Sequence, residues 1–156
     1  KSSKSIKQPI KIMKGNNLKK LLDIVIQKYE RILILGRNNF DIDKYFKLDK
    51  EGYFVYKGVK IKYLTIHASK GLEEDCVIII NLTDDILGIP NKIQDSGVLK
   101  YVNKNYDKYP YEEERRLFYV ALTRTKNDVF LLVDSKNKSV FIKELIKENS
   151  KYIEFI

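Results

Sequence analysis

Residues 76 to 82 read CVIIINL, a run with a single polar interruption at Asn81. A short, continuously apolar run suits a strand covered by helices on both faces, because a strand with one wet face would alternate polar and apolar residues. Two more runs share this character, RILILG at 31 to 36 and DVFLLV at 128 to 133. Between them the period changes. Leu18, Leu21, Leu22, Val25, Ile26 and Tyr29 recur every three or four residues behind Asn16 and Asn17, either of which can cap a helix. Tyr111 to about Leu122 and Ser139 to Asn149 read as two further helices. QPIKIMK, at 8 to 14, alternates and fits a short strand ending at Gly15, while GYFVYKGVKIKYLTI, at 52 to 66, reads as a hairpin turning at Lys57-Gly58. Thr83 to Pro110 is mostly loop. Strands alternating with helices predict a doubly wound α/β domain with a mostly parallel sheet.

The chain has 156 residues and 44% hydrophobic content, enough for one domain with a real core. It contains no run of 18 apolar residues and no leader with a small-residue cleavage site, so a cytoplasmic protein without membrane contact is expected. It begins at Lys1 and not at Met, so it is expected to be a fragment of something longer. The single cysteine, Cys76, lies inside the apolar run and reads as a buried thiol, leaving no disulfide framework and no metal cluster. Of the net charge of +9, seven lysines lie in residues 1 to 20 without an acid, which leaves +2 for the other 136 residues. That excess fits two readings: affinity for nucleic acid through counterion release, or a solvated, flexible basic start over residues 1–8.

Three segments carry candidate chemistry. Arg37-Asn38-Asn39 lies just beyond the carboxyl end of a strand, where ligands of open α/β sheets bind. In SKGLE, Gly71 allows a tight turn whose main-chain N–H groups can face an anion, although Ser69 as a helix cap with Glu73 in the first helical turn explains the same residues. In EEERRLFYVALTRTK, residues 112 to 126, the three glutamates favour the amino end of a helix, Glu112 and Arg116 form an i,i+4 pair, and the charges suit a solvated face. Arg124 follows the apolar part of that helix. Its planar donors suit the charge of a transferring phosphoryl group, and equally a cation at a helix end.

Taken together these segments resemble a family. TIHASKGLEEDCVIII, Thr65 to Ile80, is similar to motif V of the UvrD/Rep-type superfamily 1 DNA helicases, EEERRLFYVALTRTK to their motif VI, and RILILGRNN to their motif IV. The resemblance implies the second, carboxyl-terminal RecA-like motor domain of such an enzyme over residues 9–156. ATP would lie between this domain and a first RecA-like domain of the same polypeptide that supplies the P-loop and the Mg²⁺-binding carboxylates. No G-x-x-x-x-G-K-[ST] occurs in this sequence, so the chain alone is expected to be inactive. Carried over by motif, Arg37 and Arg124 would reach the γ-phosphate, with Arg124 as the arginine finger. Gly71 and Glu73 would belong to the nucleotide site, Glu73 on the ribose, while Thr65 and His67 would contact single-stranded DNA. The lone histidine could otherwise be a satisfied strand-end residue.

Two departures matter. Gly36 stands where many relatives carry a tyrosine that stacks on adenine, and a hairpin over 46–62 takes the place of a large accessory subdomain. The resemblance thus implies an ATP-dependent DNA helicase or translocase, 3′ to 5′ by family, acting on single-stranded or partly duplex DNA. Motor motifs do not report what the motor pushes, so remodelling of RNA polymerase or another nucleoprotein is an alternative. A non-catalytic nucleic-acid-binding module is another, with Tyr101, Tyr106, Tyr109 and Tyr111 among Lys100, Lys104 and Lys108 as a stacking platform.

Overall fold

The structure, a computed structural model, describes residues 8–92 and 111–156. Strands β1 (Ile10–Lys14), β2 (Ile32–Gly36), β3 (Tyr53–Tyr56), β4 (Val59–Thr65), β5 (Glu74–Leu82), β6 (Thr125–Val133) and β7 (Ile153–Phe155) form one sheet in the order β3-β4-β2-β5-β6-β1-β7. Every pairing is parallel except the hairpin of β3 with β4. Lys57 and Gly58 both take positive φ at that hairpin's turn, the conformation a two-residue loop needs to match strand twist. Among the described residues three helices, α1 (Leu18–Val25), α2 (Glu112–Leu122) and α3 (Val140–Asn149), cover the sheet.

The two faces bury separate cores, as the continuous apolar strands require. On one face Leu33, Leu35, Val77, Ile79, Val129 and Leu131 meet Leu117, Phe118 and Ala121 of α2 and Phe141, Ile142 and Leu145 of α3. On the other, Ile32, Ile34, Cys76, Ile78, Phe130 and Leu132 meet Leu18, Leu21, Leu22 and Val25 of α1. Asn17 caps α1, its side chain accepting from the Lys20 amide. Ser139 caps α3 in the same way, accepting from Phe141 N. No described helix is long and apolar enough to cross a membrane.

The observed fold corrects one local reading. Ser69 does not cap a helix at SKGLE. It ends a 3-10 turn, His67–Ser69, and its buried Oγ donates back to Ile66 O at 2.6 Å, so Glu73 stands at the entry to β5 and not in a first helical turn. The chain closes on β7, which pairs with β1 beyond α3. The basic start, apart from Gln8, and the Tyr101, Tyr106, Tyr109 platform lie outside the described residues.

Candidate functional site

The candidate residues separate to the two edges of the sheet. Thr65 ends β4, paired with Gly36 at the end of β2, and its Oγ1 accepts from the Ala68 amide at 3.3 Å to hold the 3-10 turn that leaves His67 exposed. Arg37, Asn38 and Asn39 follow Gly36 at the same, carboxyl edge. Glu73 precedes β5 and Arg124 precedes β6, at the amino edge. There the Glu74 amide donates to Arg124 O at 3.0 Å, which sets the main chain of Arg124 beside that of Glu73. Gly71, two residues before Glu73, has φ +81, a left-handed conformation suited to glycine, with open space around it. A depression of about 350 Å³ opens at this edge, lined by Glu30, Arg31, Tyr53, Lys60, Lys62 and Glu73 among others.

Arg37 and Arg124 are therefore not brought together within this chain. Leu35 pairs with Ile79 and Thr125 with Glu74, so the two arginines lie about eight strand residues apart along β5, roughly 25 Å at ~3.3 Å per residue. Helix α2 gives a second gauge. Its first turn holds the Arg37 guanidinium through Glu114, and Arg124 lies ten residues further on, beyond its last turn, about 15 Å along the axis.

Each arginine has its own local setting. Arg37 Nε donates to Glu114 Oε1 at 2.9 Å and Nη2 donates to Oε2 at 3.1 Å, a two-point pair with side-chain exposures of only 14% and 7%. The Asn91 amide completes the carboxylate's shell at 2.7 Å. Glu114 is thus a buried ligand for Arg37 and not part of the solvated face; Glu112, paired with Arg116 at 2.8 Å, and exposed Glu113 fit that face. Arg124 lies on its own helix end. Its Nε donates to Val120 O and its Nη2 to Thr123 Oγ1, each at 3.2 Å, contacts at a partly exposed site that a stronger anionic partner could replace.

Gly36 has a structural reason. A Cβ at this position would meet the Tyr63 hydroxyl and, at 3.0 Å, Asp41 Oδ2. Tyr63, buried on β4, donates from its hydroxyl to Asn38 O at 2.5 Å and fills the space that a side chain at position 36 would need. Burial holds that hydroxyl protonated, with Asp41 and Asp43 adding to the upward shift. Asp41 Oδ2 accepts from both Arg37 N, at 2.8 Å, and Asn38 N, at 2.9 Å, which fixes the loop after β2. Sequence reading missed Asp41, Tyr63 and Glu114. Asp41, four residues after Arg37 and spaced to cap the turn, was the one with a local signal. Among the described residues no group of three or more His, Cys, Asp or Glu side chains is placed to hold a metal.

Parallel strands with helices on both faces define the class as a doubly wound α/β domain. The chain belongs to the UvrD-like helicase C-terminal domain family, which matches residues 1–136. It is 35% identical over 144 residues to DNA helicase IV of Escherichia coli, covering 90% of this chain and 20% of that protein. It is 41% identical over 71 residues to the ATP-dependent DNA helicase Rep of Buchnera aphidicola, covering 46% of this chain and 9% of that protein. The chain thus spans about a fifth or less of these relatives. The C-terminal domain of a possible DNA helicase from Lactobacillus plantarum shares the fold, with a TM-score of 0.60 and 16% identity over 95% of this chain and 84% of that one.

Proposed function

We propose that this chain is the second motor domain of an ATP-dependent DNA helicase or translocase, working 3′ to 5′ against a first RecA-like domain. The observation that carries this reading is the separation of motif residues to opposite edges of one sheet, with α2 running between them. At the amino edge, Gly71, Glu73 and Arg124 form the half-site for ATP: the Glu73 carboxylate takes the ribose hydroxyls, and Arg124 leaves Val120 O to meet the γ-phosphate. The P-loop and the carboxylates that hold Mg²⁺ come from the first domain, since this chain has no such loop. At the carboxyl edge, Thr65 and His67 contact single-stranded DNA. Arg37 has a different part from Arg124. Held on Glu114, it fixes the DNA-side loop to the helix whose far end carries the finger.

Closure of the two domains on ATP then moves Arg124 and the DNA edge as one rigid unit, and reopening after hydrolysis releases the strand for the next step. No specific observation favours RNA polymerase as a partner. The test is single-stranded-DNA-stimulated ATP hydrolysis by the full-length protein that contains this chain, wild type beside Arg124→Ala, with DNA affinity measured in parallel. An arginine finger contributes about 10³ to 10⁵ in rate, so turnover should fall at least a thousandfold with DNA binding kept. Unchanged turnover would remove Arg124 from the site, and a wild type without DNA-stimulated hydrolysis would remove the motor reading.

A further inference from the structure

The loop after β2 holds one large apolar side chain out in solvent, and the rest of the loop is fastened. Phe40 is 52% exposed. Around it, Asp41 Oδ2 binds the amides of Arg37 and Asn38, the Tyr63 hydroxyl donates to Asn38 O, and Asn38 Nδ2 donates to Leu87 O at 2.8 Å. Isolated exposed apolar residues are ordinary on proteins and need no ligand. Here the setting differs. The bond from Asn38 brings the Ile86–Leu87 turn against the same loop, and Ile86 and Leu87 are themselves 66% and 41% exposed, so three of the exposed large apolar side chains gather at the carboxyl edge. Exposed Asn39 and His67 stand at that edge with them, offering polar groups between the apolar ones.

We propose that Phe40 is a stacking contact for a base of the single-stranded DNA that crosses this edge. A ring can stack on any base because every base has a π-face, so the contact gives affinity without sequence preference, as a motor that moves along DNA requires. A ring on a mobile loop would lose ordering entropy on each capture. The bonds of Asp41, Tyr63 and Asn38 remove that cost in advance. Ile86 and Leu87 supply an apolar flank that favours a base over water. The inference rests on the reading that DNA lies at the carboxyl edge, and adds a residue that lies outside the motif segments of the family.

The 156-residue chain has no tryptophan, so Phe40→Trp introduces a single indole fluorophore at the position in question. Binding is followed by anisotropy of a labelled oligothymidylate, and stacking by quenching of the introduced indole's emission with an unlabelled one. Saturable quenching is expected, and an oligonucleotide of abasic residues should bind more weakly and quench far less. Phe40→Ala should weaken oligothymidylate binding roughly fivefold to a hundredfold while leaving the dependence of affinity on salt unchanged, because no phosphate contact is lost. Phe40→Tyr should bind as wild type does. Normal oligothymidylate binding by Phe40→Ala, or binding without quenching in Phe40→Trp, would overturn the stacking role alone. Failure of the full-length wild-type protein to bind the oligonucleotide would overturn the DNA edge itself.

Discussion

Arg37 and Glu114 stand 77 positions apart in the chain and meet as a two-point ion pair, donors at 2.9 and 3.1 Å from the two carboxylate oxygens. The pair ties the end of β2 to the first turn of α2, and the Asn91 amide brings in a third segment. Removing one partner leaves a buried charge without its counterion, which costs about 3 to 5 kcal/mol. Arg37→Ala and Glu114→Gln are each expected to lower the unfolding free energy by that amount in urea titrations. Glu112→Gln, which removes the exposed pair with Arg116, should cost about 0 to 1 kcal/mol. Equal effects of Glu114→Gln and Glu112→Gln would show that Arg37 is not held as described.

A second prediction concerns the glycine at the end of β2. Because a Cβ at position 36 meets the Tyr63 hydroxyl and Asp41, Gly36→Ala overpacks a fixed site and is expected to cost about 1 to 3 kcal/mol. Tyr63→Phe removes the hydroxyl that stands in the way. In a double-mutant cycle, Gly36→Ala should therefore cost less in the Tyr63→Phe background than in wild type. Additive effects would place the conflict elsewhere.

The alkaline limb of stability offers a third. Burial, and to a lesser degree Asp128, raises the Cys76 thiol pKa in the folded chain, whereas an unfolded cysteine titrates near ~8.5. A raised folded value means that the folded state holds its proton more tightly. The contribution is then fully present below about pH 8.5 and is lost as pH rises beyond it, at up to ~1.4 kcal/mol per unit. Between pH 7.5 and 9.5 wild type should lose roughly 1 kcal/mol more stability than Cys76→Ala does, even though the variant starts lower because of its cavity. Equal losses would mean that the thiol already ionises in the folded chain.

The sheet was legible because its strands carry their reason in their own residues. Ile32 to Gly36, Cys76 to Leu82 and Val129 to Val133 are apolar on both faces, and Lys57-Gly58 marks the hairpin locally. Glu114 was not legible. Three successive glutamates look alike to a helix dipole, and only the approach of Arg37 from a distant strand selects one of them for burial. The distance between Arg37 and Arg124 was not legible either, for a topological reason. Both flank apolar runs, but one follows its strand and the other precedes its strand, and parallel strands send those positions to opposite edges. Short β7 depends wholly on β1 for its pairing, so its own sequence could not announce it.

The separation of edges gives the last prediction. If Arg124 acts at the nucleotide and His67 at the DNA, substitutions at the two positions should fail in different measurements of the full-length protein. Arg124→Ala loses two hydrogen bonds at a partly exposed helix end, so its cost in stability should stay within about 1 kcal/mol, while DNA-stimulated turnover falls about a thousandfold or more. His67→Ala removes an exposed side chain from a turn held by Thr65 Oγ1, so folding should be unaffected and the loss should appear as weaker DNA binding, with turnover recovering as DNA concentration is raised. Arg124→Lys keeps the charge and loses the planar fork, and is expected to resemble Arg124→Ala more than wild type. The discriminating plot is turnover against DNA concentration. His67→Ala should shift its midpoint and Arg124→Ala its plateau, whereas a shared shift in both would mean that the edges do not divide the work as proposed.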